Sequence, residues 1–238
     1  MEKMVGLSRA IKLEWLNATV EFSASVFEEK ELKEKLNEYL SYEITSPTNL
    51  RKTREILMNI WYRTSVSMPE IWNEAIKAYQ NDKANKLALS WSMILLSYPV
   101  FSDVCGLIAK INKVQDTFTT AWLKEKLLAI WGERTTLFHS LDKMLQTLKS
   151  LGAIENVKTG VYRVCSYKVS DTATIKVLLL TLLTLEDKAY YELSDLTQVP
   201  AFFPFDYEVT LEWLHNTPEF NISNFGGRMV VSGVINNQ

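Results

Sequence analysis

The residues of this 238-residue chain best equipped for chemistry are hydrogen-bond donors and cations rather than nucleophiles. Arg134, Thr135, Thr136, His139, Ser140, Lys143, Gln146, Thr147, Lys149 and Ser150 crowd one stretch, and Lys158 and Arg163 follow shortly after it. Lysine and arginine neutralise phosphates, and short hydroxyls and amides donate to phosphate oxygens or to base edges. The chemistry this set can perform is recognition of a polyanion. A smaller basic knot of Arg51, Lys52, Arg54 and Arg63, opposed only by Glu55, offers the same capability.

No reaction is legible beside that set. Gly132-Glu133-Arg134-Thr135-Thr136 lacks the leading glycine and the lysine of a phosphate-cradling loop. Neither a dinucleotide glycine fingerprint nor a nucleophile elbow occurs. His139 and Ser140 are adjacent, and neighbours on a helix diverge by about 100°, so they do not form a nucleophile–base pair. His215 sits near a helix end, where an imidazolium suits the dipole. Cys105 lies among apolar neighbours, and nothing near Cys165 lowers its pKa. Two cysteines and two histidines build a Cys/His zinc cage only if all four converge. The expectation is a non-enzymatic protein with no metal and no cofactor. Tryptophans can stack on bases, but Trp61, Trp72, Trp122 and Trp131 fall on helical apolar stripes, which predicts core packing.

The elements that must position the donors follow from periodicity. Leu137, Leu141, Met144, Leu145 and Leu148 fall at i, i+4, i+7, i+8 and i+11, one continuous face of a helix over residues 134–151 closed by Gly152. Thr136, His139, Ser140, Lys143, Gln146, Thr147 and Ser150 occupy the opposite face, with Asp142 as the one repulsive member. A helix near residues 102–112 precedes it. A second, capped by Thr119 or Thr120, carries Trp122, Leu123, Leu127, Ile130 and Trp131 and ends at Gly132. Residues 154–164 read as two short strands around Lys158-Thr159-Gly160. Three helices and a β-hairpin in this order predict a winged helix, whose third helix enters the major groove. Arg134, Lys143, Lys158 and Arg163 would then flank the duplex backbone.

Residues 8–97 read as helical throughout. Trp15, Val20, Phe22, Val26 and Phe27 form one stripe, and Leu32, Leu36, Tyr39 and Leu40 another. Ser46-Pro47-Thr48-Asn49 predicts a turn and then a cap ahead of Leu50, and Pro69 suits a first helical position. The apolar run from Leu87 to Ala109 contains Pro99, Asp103 and serines, which predicts a buried helix broken at Pro99 and no membrane span. Residues 171–238 repeat the plan: an apolar helix over 174–185, helices over 190–196 and 206–216, and a hairpin around Gly226-Gly227. Ala201-Phe202-Phe203-Pro204-Phe205 interrupts them as a candidate docking loop.

Composition and charge bound the rest. With 47% hydrophobic and 23% charged residues the chain is globular rather than disordered, and eight glycines and six prolines exclude a collagen- or linker-like chain. The opening Met1-Glu2-Lys3-Met4-Val5-Gly6 has no apolar signal core, which predicts a cytoplasmic chain. The net charge of −2 hides a sorted distribution: residues 101–170 hold 10 basic and 6 acidic side chains, residues 171–238 hold 3 and 9. A basic middle suits a phosphate backbone. An acidic end does not, and suits packing, dimerisation or a protein partner.

The helical stretch with Ser46, Arg51, Ile56 and Arg63, the apolar segment ending in Tyr98-Pro99-Val100-Phe101, and the later Thr135-Thr136, Lys143, Leu148 and Gly152 together resemble the DUF1819/BrxA family, which includes the small A component of BREX phage-defence systems. The similarity is one of order and spacing over residues 10–155. It implies a small non-enzymatic bacterial protein that binds DNA within a multi-protein system. The fold expected is therefore mainly α: an N-terminal helical bundle over residues 1–100, a winged-helix-like unit over 101–170 and a second, acidic one over 171–238. The expected function is binding of double-stranded DNA through Arg134, Thr135, Thr136, His139, Lys143, Lys149, Lys158 and Arg163, aided by Arg51, Lys52 and Arg54. Other proteins of the same system are expected partners, and a homo-oligomer is compatible. The competing reading is a protein-interaction adaptor whose winged helices are docking surfaces.

Overall fold

Apolar residues at steps of three and four wind most of the chain into helices, as the computed structural model shows for residues 6–25, 28–186 and 188–233. Val26 and Phe27, expected on the first stripe, and the opening five residues lie outside the described residues. The N-terminal helices are α1 (Leu13–Ser25), α2 (Glu29–Ser41), α3 (Pro47–Leu57), α4 (Arg63–Ser67), α5 (Pro69–Tyr79), α6 (Lys86–Ser97) and α7 (Pro99–Asn112). A π-helical turn, Met58–Tyr62, joins α3 to α4. The sequence placed the start of α3 three residues too late. Ser46 is the cap, accepting from the Asn49 N–H at 3.4 Å, because Pro47 lacks an N–H that the first turn would leave unbonded anyway.

Helices α6 and α7 break at Pro99 as expected and are bent by 118° to each other. No single helix among the described residues is long and apolar enough to cross a membrane, although this bent pair passes by length and composition. Leu87 through Leu95 are all buried within the protein. Trp91 is the hub: fully buried, it donates from Nε1 to the Ala201 carbonyl at 2.9 Å and meets the rings of Phe101, Phe203 and Phe205 edge-on. The segment 201–205 is therefore no docking loop. Phe202 and Phe205 are buried, because Trp91 and the wall of α7 supply the apolar contacts that local sequence does not reveal.

After α7 come β1 (Thr117–Thr119), α8 (Thr120–Trp131), α9 (Thr135–Ser150), β2 (Ile154–Lys158) and β3 (Val161–Val164), with β3 pairing antiparallel to both β1 and β2. Thr119 caps α8 by accepting from the Trp122 N–H. Ile130, expected on the apolar side of α8, is 55% exposed, whereas Trp131 beside it turns to α7 and donates from Nε1 to Asp103 Oδ2 at 2.8 Å. Gly152 follows α9 at φ +73°, and a Cβ there would lie 2.3 Å from the Tyr167 hydroxyl, which donates to the Gly152 carbonyl. Only glycine satisfies both the left-handed backbone and that close approach.

The remaining elements are β4 (Tyr167–Lys168), paired in parallel with β6 (Phe205–Asp206), then α10 (Thr172–Leu185), β5 (Tyr191–Glu192), α11 (Leu193–Thr197), α12 (Leu211–His215), β7 (Phe220–Phe225) and β8 (Arg228–Gly233). β5, β8 and β7 form a second three-stranded sheet in that order. The hairpin at Gly226-Gly227 is as expected. The two helices before it are shorter than expected: Tyr191 and Glu192 are held straight by pairing with Val231 and Val230, and Thr210 caps the last helix only at Leu211. Apolar residues from Leu7 to Val231 join one contiguous core that passes through all three of the expected units.

Candidate nucleic-acid interface

Helix α9 carries the candidate site, and burial divides it sharply. Leu137, Leu141, Met144 and Leu148 are fully buried and Leu145 nearly so, while Thr136, His139, Asp142, Gln146, Lys149 and Ser150 are exposed and Lys143 is half-buried. Two members of the expected polar face are corrected. Ser140 and Thr147 are buried, because an N-terminal arm, residues 6–12, lies along that edge of the helix. Thr147 Oγ1 accepts from the Ile11 N–H at 3.1 Å and donates to the Lys143 carbonyl at 2.9 Å. Gly6, at φ +59°, passes so close that a Cβ would lie 3.1 Å from Ser140 Cβ. Leu7 and Ile11 anchor the arm in the core.

What remains open is a strip, and its charges are unequally free. Arg134, exposed, occupies the cap position of α9 in extended conformation; its side chain makes no capping bond, and its carbonyl accepts from the Leu137 N–H at 2.9 Å. Thr135 begins the helix, and its side chain lies outside the described residues. Lys143 Nζ donates to Gln146 Oε1 at 3.1 Å. Asp142, the repulsive member, sits 3.9 Å from Lys124 Nζ of α8, which also overlies the Phe138 ring. Lys124 thus tempers the one acid on the strip. Local sequence pointed to Asp142 but not to Lys124, whose role depends on how α8 crosses α9.

The hairpin supplies two further cations. Lys158 is exposed at its tip, where the Gly160 carbonyl accepts from the Thr120 N–H at 3.1 Å and so sets the tip beside the start of α8. Arg163 is exposed on β3 but has a cross-strand partner, Glu155 Oε1, at 3.4 Å. Among the described residues, Arg51, Lys52, Arg134, Lys149 and Lys158 have no carboxylate within 4 Å.

The knot on α3 divides in the same way. Arg54 is turned inward, donating to Glu55 Oε1 and to Asn37 Oδ1, and Arg63 takes the other oxygen of Glu55 at 2.8 Å. Burial raises the Glu55 pKa, but the two guanidinium groups outweigh it and hold the carboxyl below its ordinary value. Arg51 and Lys52 stay exposed. The arm links this helix to α9: Arg9 Nε and Nη2 both donate to Asn49 Oδ1 on α3, and Ile11 reaches Thr147. The arm is thus bonded to both helices, through the Arg9 guanidinium on one side and the Ile11 backbone on the other.

Other features carry no comparable chemistry. A cavity of about 900 Å³ lies between α5, α10 and the turn before β7, with Glu74, Lys77 and Glu219 at its wall. Lys176 beside it is clamped by Glu74 Oε2 at 2.5 Å and Glu219 Oε1 at 2.8 Å, a structural tie between α5 and the C-terminal segment. Burial pushes the Cys105 thiol well above its ordinary pKa and raises that of Cys165, so neither is an activated nucleophile. No protein-family model matches the chain, and neither does a curated protein or a solved structure.

Proposed function

We propose that the protein is a non-enzymatic binder of double-stranded DNA that reads the duplex with α9 and braces it with the β2–β3 hairpin. The unit from α7 to β3 is then a winged helix: three helices, a short strand after the first, and a hairpin whose second strand pairs with that short strand. The single observation that carries the reading is the open strip on α9, apolar on its hidden side and rich in uncompensated donors on the other. Helix α9 has 16 residues, about 24 Å of length, enough to lie across a major groove about 12 Å wide. Arg134 at its start and Lys158 at the hairpin tip supply phosphate contacts on either flank. Arg51 and Lys52 offer further exposed cations on α3, whereas Arg54 acts within the fold. The DUF1819/BrxA resemblance supplies the proposed setting, an accessory component of a phage-defence system.

The test is duplex binding by fluorescence anisotropy over a range of salt. Each neutralised phosphate contributes about 0.9 to the slope of log affinity against log salt. Arg134→Ala with Lys143→Ala therefore lowers the slope by about two and weakens binding across unrelated sequences. An unchanged slope overturns the assignment.

A further inference from the structure

A strand at a sheet edge presents unpaired N–H and C=O groups, and proteins blunt such edges by shortness, by charge, by proline or by a bulge. Three of the four edges in the two antiparallel sheets carry such protection. β1 has three residues and β5 two. β2 carries Glu155 and Lys158 and shifts register between Asn156 and Lys158. β7 is the exception. Its six residues, Phe-Asn-Ile-Ser-Asn-Phe, contain no charge and no proline. β8 pairs with all six on one side, and among the described residues no strand takes the other; α12 packs against β7, where Phe220 is buried, but Asn221, Ser223, Asn224 and Phe225 stay exposed.

Apolar surface gathers at the same place. Phe225, the last residue of β7, is 61% exposed, and its ring lies 5.0 Å from that of Tyr190, which is 43% exposed. Exposed aromatic pairs of this kind are favoured anchors for protein partners. The charge around them selects the partner. All three basic residues of the segment 171–238 already hold acids: Lys176 holds Glu74 and Glu219, Lys188 holds Glu186, and Arg228 holds Glu192. The surplus acids stay unneutralised, among them Glu212, exposed on the helix packed against β7. Two such segments repel, which disfavours a second copy. A cationic strand is attracted.

We propose that β7 is a strand-addition site for an extended, lysine-rich segment of a partner protein, whose backbone continues the sheet and whose apolar side chains cover Phe225. The inference is independent of duplex binding. The experiment uses the full chain with three labelled peptides of about nine residues, roughly the upper end of common strand lengths: alternating valine and lysine, alternating valine and glutamate, and alternating glycine and lysine. Anisotropy and amide hydrogen exchange are the readouts. The valine–lysine peptide is expected to bind at least about tenfold more tightly than either other and to slow exchange in residues 221–225. Ser223→Lys, an exposed position that leaves the core intact, abolishes that binding while circular dichroism stays unchanged. Equal binding of the three peptides, protection elsewhere, an indifferent Ser223→Lys, or a dimer that Ser223→Lys dissociates would each overturn the proposal.

Discussion

The unit from α7 to β3 and the unit from α10 to β8 share one strand order and, apart from the segment with β6 inserted before α12, one element order, yet they leave opposite things open. In the first the third helix has 16 residues with a donor-rich strip in solvent; in the second it has five, about 8 Å of length, and carries Glu212. The first helix of the second unit is packed against α5 and α6, and Trp91 ties the loop after α11 into the core. Shared topology therefore says little about shared role. Length of the third helix and the sign of its free charges separate a surface fit for phosphate from one that repels it.

The strongest way to break this contrast is Trp91→Ala. Removing a fully buried indole costs about 3–5 kcal/mol. If the second unit is part of the common core, urea unfolding shows one transition moved to lower urea; two separated transitions would mean the units stand apart. Gly152→Ala sharpens the other side of the contrast, because no glycine ends α12. A left-handed alanine together with the lost Tyr167 bond lowers stability by about 2–3 kcal/mol, and duplex affinity falls with it if α9 and the hairpin act as one rigid piece.

The smallest effect is electrostatic. Burial raises the Glu74 pKa, but hydrogen bonds and charge from Lys176 and Lys77 bring it below 4.5, while Glu219 and Glu74 raise Lys176 above 10.5 against its own desolvation. A lowered carboxyl stabilises the fold above its unfolded value and loses that contribution as pH falls through its folded one. A raised ammonium stabilises below its unfolded value and loses it as pH rises past its folded one. The clamp is thus at full strength between about pH 5 and pH 10. Glu74→Gln lowers the urea midpoint there by an amount worth no more than about 1 kcal/mol, and the difference from the parent protein vanishes in stronger acid.

Much of the architecture was legible because it is local. The leucine spacing of α9, the break at Pro99, the Thr119 cap and the Gly226-Gly227 turn each depend on residues a few positions apart. What escaped depends on distant partners. Ser140 and Thr147 read as outward-facing because nothing nearby announces an arm more than 130 residues upstream. Phe202 and Phe205 read as a loop because Trp91 lies on another helix, and the parallel pairing of Tyr167 with Phe205 leaves no periodic trace. Of the candidate site, the open strip and the hairpin cations were visible, whereas the inward turn of Arg54 required knowing that Asn37 stood opposite.

The bond from Ile11 to Thr147 also sets a timetable. At 5–20 residues per second, synthesis of the intervening chain takes on the order of ten seconds. Throughout that interval Ile11 lacks this partner, and α9, once made, closes only when the arm returns to it. Closure of α9 is thereby tied to the arm, and a product terminated before α9 would leave Leu7 and Ile11 without that partner.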